Sequence, residues 1–399
     1  MKAPRQISSG AMTRIRTPSR GATPRTARLI NDRAAFDLLL ERGPLSRTEL
    51  QNLTGLSHPT VSDLVDRLEA DGVITRVGES KVRRRGPNAL LYGLVADRAH
   101  VAGVEVLPDV VLASVTDVTG RQVGGAHVPQ DPAAEPHAVV HRAITEALAD
   151  ADLTPDRLRS VVVGTPGLVD PATGDISFAG VLPTWHANLL PGLRSRLGGV
   201  PVLVENEVNL VGLAEHRLGA ARGRDTFALL SLGPGIGMAV VLGGQLHRGV
   251  SGGAGELSYL PADTGGRVFP DLAAGAAVLT LAHGHGIRPQ SGDDAAVAAV
   301  TAAVDGVAGG SGFLDDLADR VAFGAAGICA VLDPGFLVLA GTIGRAGGEA
   351  LAARVAERVN RSTPLRTSVA PGTVDGNPVV RGAVLIALDL LHKETFAPS

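Results

Sequence analysis

The residues of this chain best suited to chemistry fall into two groups. The first occupies loops that end apolar runs: Gly164-Thr165-Pro166-Gly167 with Asp170 after Val161-Val162-Val163, and Glu205-Asn206-Glu207-Val208-Asn209 after Val202-Leu203-Val204. Two glycine-rich stretches follow, Gly233-Pro234-Gly235-Ile236-Gly237 and Gly252-Gly253-Ala254-Gly255-Glu256. Glycines expose backbone N–H groups that can cradle phosphate, although they serve ordinary hairpins equally well. A dinucleotide-binding loop is excluded at 233–237, because that motif needs a helix after the loop and here a strand-like run leads to the turn Gly243-Gly244. The second group is a cluster of short polar and charged residues, His58, Thr60, Ser62, Asp63, Asp66 and Arg67, followed by the run Arg83-Arg84-Arg85. Such groups at the start of a helix can meet base edges, and arginines in a loop can hold phosphates or enter a minor groove.

Three short helices must position the second group. The first is expected over about 26–42, ending at Gly43-Pro44. The next opens at Ser46-Arg47-Thr48-Glu49, a capping box, and runs to Thr54-Gly55. The third opens at Ser57, a good N-cap, tolerates Pro59 in its first turn, and buries Val61, Leu64, Val65 and Leu68 at helical spacing. Its other face carries the polar residues. Two strand-like runs, 73–77 and 89–94, then flank the arginine loop as a wing. Helix, turn, helix and wing in that order predict a winged helix-turn-helix rather than a small helical domain with a solvated arginine run.

Charge supports two jobs for one chain. Residues 1–95 hold 16 Lys+Arg against 9 Asp+Glu, and residues 96–399 hold 21 against 31, so the halves carry +7 and −10. The segment 1–26 has no acidic residue and is expected to be a disordered basic arm, either solubilising or touching DNA phosphates. The single cysteine, Cys329, excludes an internal disulfide framework and a cysteine-based zinc site. It fits a reducing, cytoplasmic setting. No apolar run of about 18 residues predicts a membrane span, and the N-terminus lacks the apolar core of a secretory signal.

Residues 27–95 resemble the DNA-binding domain of ROK-family repressors through Gly43-Pro44-Leu45-Ser46-Arg47-Thr48-Glu49-Leu50, Thr54-Gly55-Leu56-Ser57, Thr60-Val61-Ser62 and Arg85-Gly86-Pro87. From residue 96 onward, β-branched runs alternate with Ala/Leu-rich helical stretches, an α/β pattern without a short-period repeat. Its loops, taken in order, resemble the ROK sugar-kinase domain; Arg248-Gly249, Leu332-Asp333-Pro334 and Val338-Leu339-Ala340-Gly341 extend the match. The resemblance covers about 27–394. It implies an α/β, actin-like (ribonuclease H-like) fold of two lobes, about 96–220 and 221–378, around a cleft. The C-terminal helix, near 379–391, is expected to return to the first lobe.

The departures from that family bear on activity. Where ROK kinases have an aspartate followed by Gly-Gly-Thr to hold ATP phosphates, this chain has Gly103-Val104-Glu105-Val106-Leu107-Pro108-Asp109. The glycines are gone and proline removes a donor. The family's catalytic aspartate corresponds to Glu207, one methylene longer, and a misplacement of about 1 Å can cost roughly 100-fold. The zinc motif is missing too: Tyr259 stands at the histidine position, and Thr264-Gly265-Gly266-Arg267-Val268-Phe269-Pro270 replaces the cysteines. His283 and His285 read as surface or packing residues. The resemblance leaves a partial sugar pocket of Gly167, Asn206, Glu207, Glu256 and Asp271, with Trp185 and Asn188 in a loop that approaches the sugar in the family.

These readings predict a cytoplasmic transcriptional regulator, a repressor that senses a sugar or sugar phosphate without catalysis. It would act as a homodimer or homotetramer on a double-stranded, palindromic operator. Arg47, Ser57, His58, Thr60, Ser62, Asp63, Arg67, Arg83, Arg84 and Arg85 are the expected DNA-facing residues. No metal or cofactor is expected. Two rivals stand beside it: an active ATP-dependent sugar kinase with a DNA-binding head, and a DNA-binding scaffold whose second domain takes a protein partner.

Overall fold

The computed structural model describes residues 24–79, 89–131, 133–177, 188–292 and 294–396. The N-terminal arm up to residue 23, Trp185 and the arginines Arg83, Arg84 and Arg85 lie outside the described residues. Contacts divide the chain into two units, residues 1–95 with 395–399, and residues 96–394.

The first unit contains α1 (Pro24–Arg42), β1 (Leu45–Ser46), α2 (Arg47–Thr54), α3 (His58–Ala70), β2 (Ile74–Glu79) and β3 (Leu90–Leu94). The first helix starts at Pro24, two residues ahead of expectation, since proline is tolerated in a first turn. The capping box forms: Ser46 Oγ accepts from Glu49 N, and Glu49 Oε2 accepts from Ser46 N at 2.8 Å. Gly55 ends α2 in the left-handed region, at φ 70°, where its N–H reaches the carbonyl of Gln51. Ser57 caps α3, whose stripe of Val61, Leu64, Val65 and Leu68 is buried with Phe36, Leu39, Leu50, Ile74 and Tyr92. Strands β2 and β3 pair antiparallel, with a bulge between Arg76 and Gly78, and β1 adds to β3. Phe396 sits edge-on to Phe36, with 5.4 Å between ring centroids.

The second unit repeats one topology. Strands β4 (His100–Val106), β5 (Val110–Asp117) and β6 (Gln122–Pro129) form an antiparallel meander. After helix α4 (Pro136–Asp150), β7 (Leu158–Thr165) pairs parallel to β4. The small ladder β8 (Leu168–Val169) and β9 (Ile176–Ser177), then α5 (Leu189–Arg196), precede β10 (Val202–Asn206), which pairs parallel to β7. The sheet order is β10-β7-β4-β5-β6.

After α6 (Glu207–Leu218) the scheme recurs. Strands β11 (Phe227–Leu232), β12 (Ile236–Leu242) and β13 (Gln245–Leu246) are antiparallel. Helices α7 (Pro270–Ala273), α8 (Gly275–Gly284), α9 (Ala295–Val304) and α10 (Gly310–Leu332) lead to β14 (Phe336–Ala340), parallel to β11. Helix α11 (Gly341–Ser362) leads to β15 (Ser368–Pro371), parallel to β14. The order β13-β12-β11-β14-β15 corresponds strand for strand to the first sheet. Long helical crossovers are what parallel pairing demands. Helix α12 (Pro378–Thr395) lies on β4 and β7: Ser160 Oγ donates to the carbonyl of Ala387 at 2.8 Å, and a Cβ at Gly103 would meet Val380 and Val384. No described helix is long and apolar enough to cross a membrane.

Candidate ligand cleft and nucleic-acid interface

Both sheets contribute to a cavity of about 1050 Å³ in the second unit. Glu105 from the end of β4, Gly167, Asn206 and Glu207 line one part of it. The hairpin 233–237, Glu256 and the start of α11 line another. Of the five residues expected in the pocket, Gly167, Asn206, Glu207 and Glu256 are therefore brought together. Asp271 is not among the lining residues. It is exposed, and its carboxylate turns back to accept from Val268 N at 2.9 Å.

Asn206 is committed largely to the fold. Its Nδ2 donates to the carbonyl of Gly167 at 2.9 Å, and its Oδ1 accepts from Val208 N and Asn209 N, capping α6. One amide hydrogen is left for a ligand. Glu207, the first residue of α6, is half-buried on the cavity wall and has no hydrogen-bond partner among the described residues. Burial, followed by the charge of Glu105, pushes its carboxyl up to about 7. Glu105 is buried, and burial raises its pKa too, opposed by the hydrogen bond its carboxylate accepts from Asn377 Nδ2. Glu256 follows a turn that only glycine allows at residue 255, where φ is +94° and a Cβ would sit 2.2 Å from the carbonyl oxygen of Met238.

Glu205, Arg248 and Glu215 support the site; in the sequence they are parts of matching motifs and not expected ligand residues. Glu205 Oε1 accepts from Asn206 N and Asn209 Nδ2, while Glu205 Oε2 pairs with Arg248 Nε at 2.7 Å. Glu215 is buried and accepts from the N–H groups of Ala220, Thr373 and Val374, fastening the end of α6 to the segment before α12. The spacing of Glu205 and Asn209, four apart across a helix start, was the available signal for the first network. Nothing local marked the pairing of Arg248 with Glu205 or the partners of Glu215.

The first phosphate loop is closed. Leu107 N donates to the carbonyl of Val110 at 2.9 Å, Pro108 has no N–H, and the carbonyls of Leu107 and Asp109 accept from Gln130 Nε2 and Gln130 N at 2.8 Å. The residues there do not fit a phosphate cradle of the Gly-Gly-Thr kind. Zinc fits no better. Among the described residues no three His, Cys, Asp or Glu side chains gather to hold a metal. In the corresponding loop Asp263 Oδ1 accepts from Gly265 N and Arg267 N, and Asp263 Oδ2 pairs with Arg267 Nε at 2.5 Å. An internal ion pair thus closes this loop. His285 pairs with Asp316 at 2.8 Å and packs edge-on to Phe313.

In the first unit, α3 presents His58, Thr60, Asp63 and Asp66 outward, with Ser62 half-buried. The two expected arginines of this face are engaged within the unit. Arg67 pairs through two nitrogens with Asp32, a largely buried carboxylate, at 2.5 and 3.1 Å. Arg47 donates to Ser62 Oγ at 2.7 Å, pairs with Asp66 and stacks 5.4 Å from the Tyr92 ring centroid. Ser57 caps the helix and its Oγ lies 2.8 Å from Thr60 Oγ1. The unencumbered polar surface of α3 is therefore centred on His58 and Asp63.

Sequence models place residues 34–85 in the MarR family and residues 101–389 in the ROK family. The chain belongs to the ROK family. Its ROK domain is accompanied by a MarR-type winged helix. A xylose repressor of Bacillus subtilis is 27% identical over 240 residues, covering 59% of this chain and 62% of the relative. The chain thus matches about three fifths of that relative's length. Among solved structures, a ROK family transcriptional regulator described as a homologue of the Escherichia coli MLC protein superposes with TM-score 0.71 over 93% of this chain and 99% of the other, at 18% identity. A ROK hexokinase from Thermus thermophilus superposes with TM-score 0.59 at 27% identity, over 73% of this chain and 99% of its own. ROK membership thus accounts for the paired sheets and the cleft between them, and both repressors and kinases share it.

Proposed function

We propose that this ROK protein is a ligand-responsive transcriptional repressor of the cytoplasm. It binds a palindromic double-stranded operator as a homodimer or homotetramer and is released or retained by a sugar or sugar phosphate in the cleft, without catalysis. The observation that carries this reading is one chain combining a winged helix whose α3 polar face points outward with a kinase-like cleft whose first phosphate loop is closed by Pro108 and Gln130. The similarity to a xylose repressor adds to it. Carboxylates and amides of the kind at Asn206, Glu207 and Glu256 suit the adjacent hydroxyls of a sugar. His58, Thr60 and Asp63 read base edges. Ser57 and Ser62 set the helix that carries them. Arg47 and Arg67 hold that helix in place, and Arg83, Arg84 and Arg85 contact phosphates or the minor groove. A ligand acts by binding the two states of the protein with different affinity, which shifts their populations. Selection of bound fragments from random and genomic DNA with the full chain, repeated with and without a panel of sugars and sugar phosphates, tests the proposal. Enrichment of a palindrome whose occupancy changes with one sugar supports it. Absence of any enriched sequence refutes it.

A second reading, an active sugar kinase, draws on Glu207 and the 233–237 hairpin lining the same cavity. A coupled assay with hexoses and ATP decides it: turnover abolished by Glu207→Gln would establish the kinase, and no turnover would remove it.

A further inference from the structure

Glu105 and Glu207 line one part of the cleft with no cation between them. In the first sheet Glu105 and Glu205 stand in one row on either side of Gly164, which has no side chain to part them. Glu207, two residues beyond Glu205, lines the same cavity as Glu105, and the charge of Glu105 acts on it. Among the described residues Glu105 is met by the neutral amide of Asn377 alone, and Glu207 by no hydrogen-bonding group.

The other charges of the cavity leave this pair uncompensated. Glu215 is satisfied by three backbone N–H groups, and Glu205 by its pair with Arg248. Glu256 adds a further carboxylate to the lining. Among the described lining residues Arg345 is the one cation, and it is exposed on α11, in the part of the cavity formed with the 233–237 hairpin. Two carboxyls so placed lack one positive charge. A buried ion without a partner is costly, and burial together with the neighbouring charge keeps a proton on Glu207 instead. A ligand can supply the missing charge. An ammonium has three donors and no acceptor, while a carboxylate only accepts, and hydrogen bonds between ions are roughly twice as strong as those between neutral groups. A phosphate would bring negative charge to a wall of the same sign, and like charges brought together oppose binding.

We propose that the cleft takes an amine-bearing sugar, whose ammonium lies between the carboxylates of Glu105 and Glu207. The proposal deepens the repressor reading, on which it rests for any effect on DNA, by naming the class of ligand and setting it apart from a sugar phosphate. Binding the cation displaces the proton held on Glu207.

The test is titration calorimetry of the full chain at pH 6 with glucosamine, galactosamine and mannosamine, each beside its parent hexose and the hexose 6-phosphate. At least one amine should bind ~10-fold or more tightly than its parent. Its binding should release about one proton, read from the heats in two buffers of unlike ionisation enthalpy, because a carboxyl with a pKa of about 7 is mostly protonated at pH 6. The parent hexose should release none. Glu207→Gln should bring the ratio of amine to hexose affinity close to one and abolish the proton release, and Glu105→Gln should lower the same ratio. Amines that bind no better than their parents, a 6-phosphate that binds best, or no binding by any of these sugars overturns the proposal. So does a magnesium or calcium salt that raises the melting temperature without any sugar and fails to do so in Glu207→Gln, which would assign the pair to a metal. An operator whose occupancy responds to a neutral hexose or a 6-phosphate and not to an amine keeps the repressor reading and removes only this inference. Amine preference in a chain that selects no operator keeps the site and removes the repressor reading.

Discussion

The amide of Asn377 joins two elements: its nitrogen donates to the carboxylate of Glu105 at the end of β4, and its oxygen accepts from Val380 N in the first turn of α12. Both residues line the cavity. Asn377→Ala should therefore lower stability by about 1–3 kcal/mol, the cost of an unsatisfied buried acceptor plus a lost cap. Denaturant unfolding of Asn377→Ala, Glu105→Gln and the double variant checks it. Additive effects would show that the two residues are not coupled.

Glu207 gives the protein a pH signature. Its carboxyl is pushed up to about 7 in the folded chain, against an ordinary value near 4.3 in an unfolded one. Between those values the native state keeps a proton that the unfolded state has lost. The stability this contributes is fully present below the unfolded pKa and is lost as pH rises through about 7. Glu207→Gln removes the dependence. The melting temperatures of the variant and the natural protein should nearly coincide at pH 5, with the variant higher at pH 8 by on the order of 1–3 kcal/mol of stability. A difference that stays constant across this range would contradict the assignment.

On α3 the polar residues should separate by role. Arg67→Ala breaks a pair with the largely buried Asp32 and should destabilise the winged helix by about 2–4 kcal/mol. His58 is exposed and has no side-chain hydrogen bond or ion pair among the described residues, so His58→Ala should weaken operator binding about tenfold with no change in melting. Paired melting and mobility-shift measurements distinguish the two. Equal stability losses in both variants would merge the roles.

The Asp263 hairpin predicts indifference to chelators. Prolonged treatment with EDTA should leave the melting temperature unchanged, while Asp263→Ala, which removes the acceptor of Gly265 N and Arg267 N, should increase proteolysis within 261–268. A chelator-sensitive melt would point to a metal elsewhere in the chain.

The parts legible in the sequence were those with local causes. Ser46 and Glu49 sit three apart and cap each other, Ser57 caps the next helix, and the Val61–Leu68 spacing has one reading in a helix. The resemblance to the ROK sugar-kinase domain named Gly167, Asn206, Glu207 and Glu256, which line one cavity. The remainder depended on contacts distant in sequence. The family resemblance puts Asp271 at the cleft, yet its carboxylate accepts a hydrogen bond from Val268 N three residues away. Asn206 looked like a ligand group, and the carbonyl of Gly167, 39 residues earlier, claims one of its two amide hydrogens. Arg67 looked like a phosphate contact until Asp32, 35 residues before it, proved to be its partner. The duplicated five-strand order left no trace as a sequence repeat, since sheet topology constrains pattern and not identity.

The closure of the β4–β5 turn also limits which proteins lie within a single mutational step of this one. Replacing Pro108 with glycine would restore an N–H, but Leu107 N would still be spent on Val110, and Gln130 would still clasp the turn from both sides. Freeing Gln130 alone would expose two carbonyls and supply no donor. Neither step by itself opens the turn, because each leaves the other restraint in place.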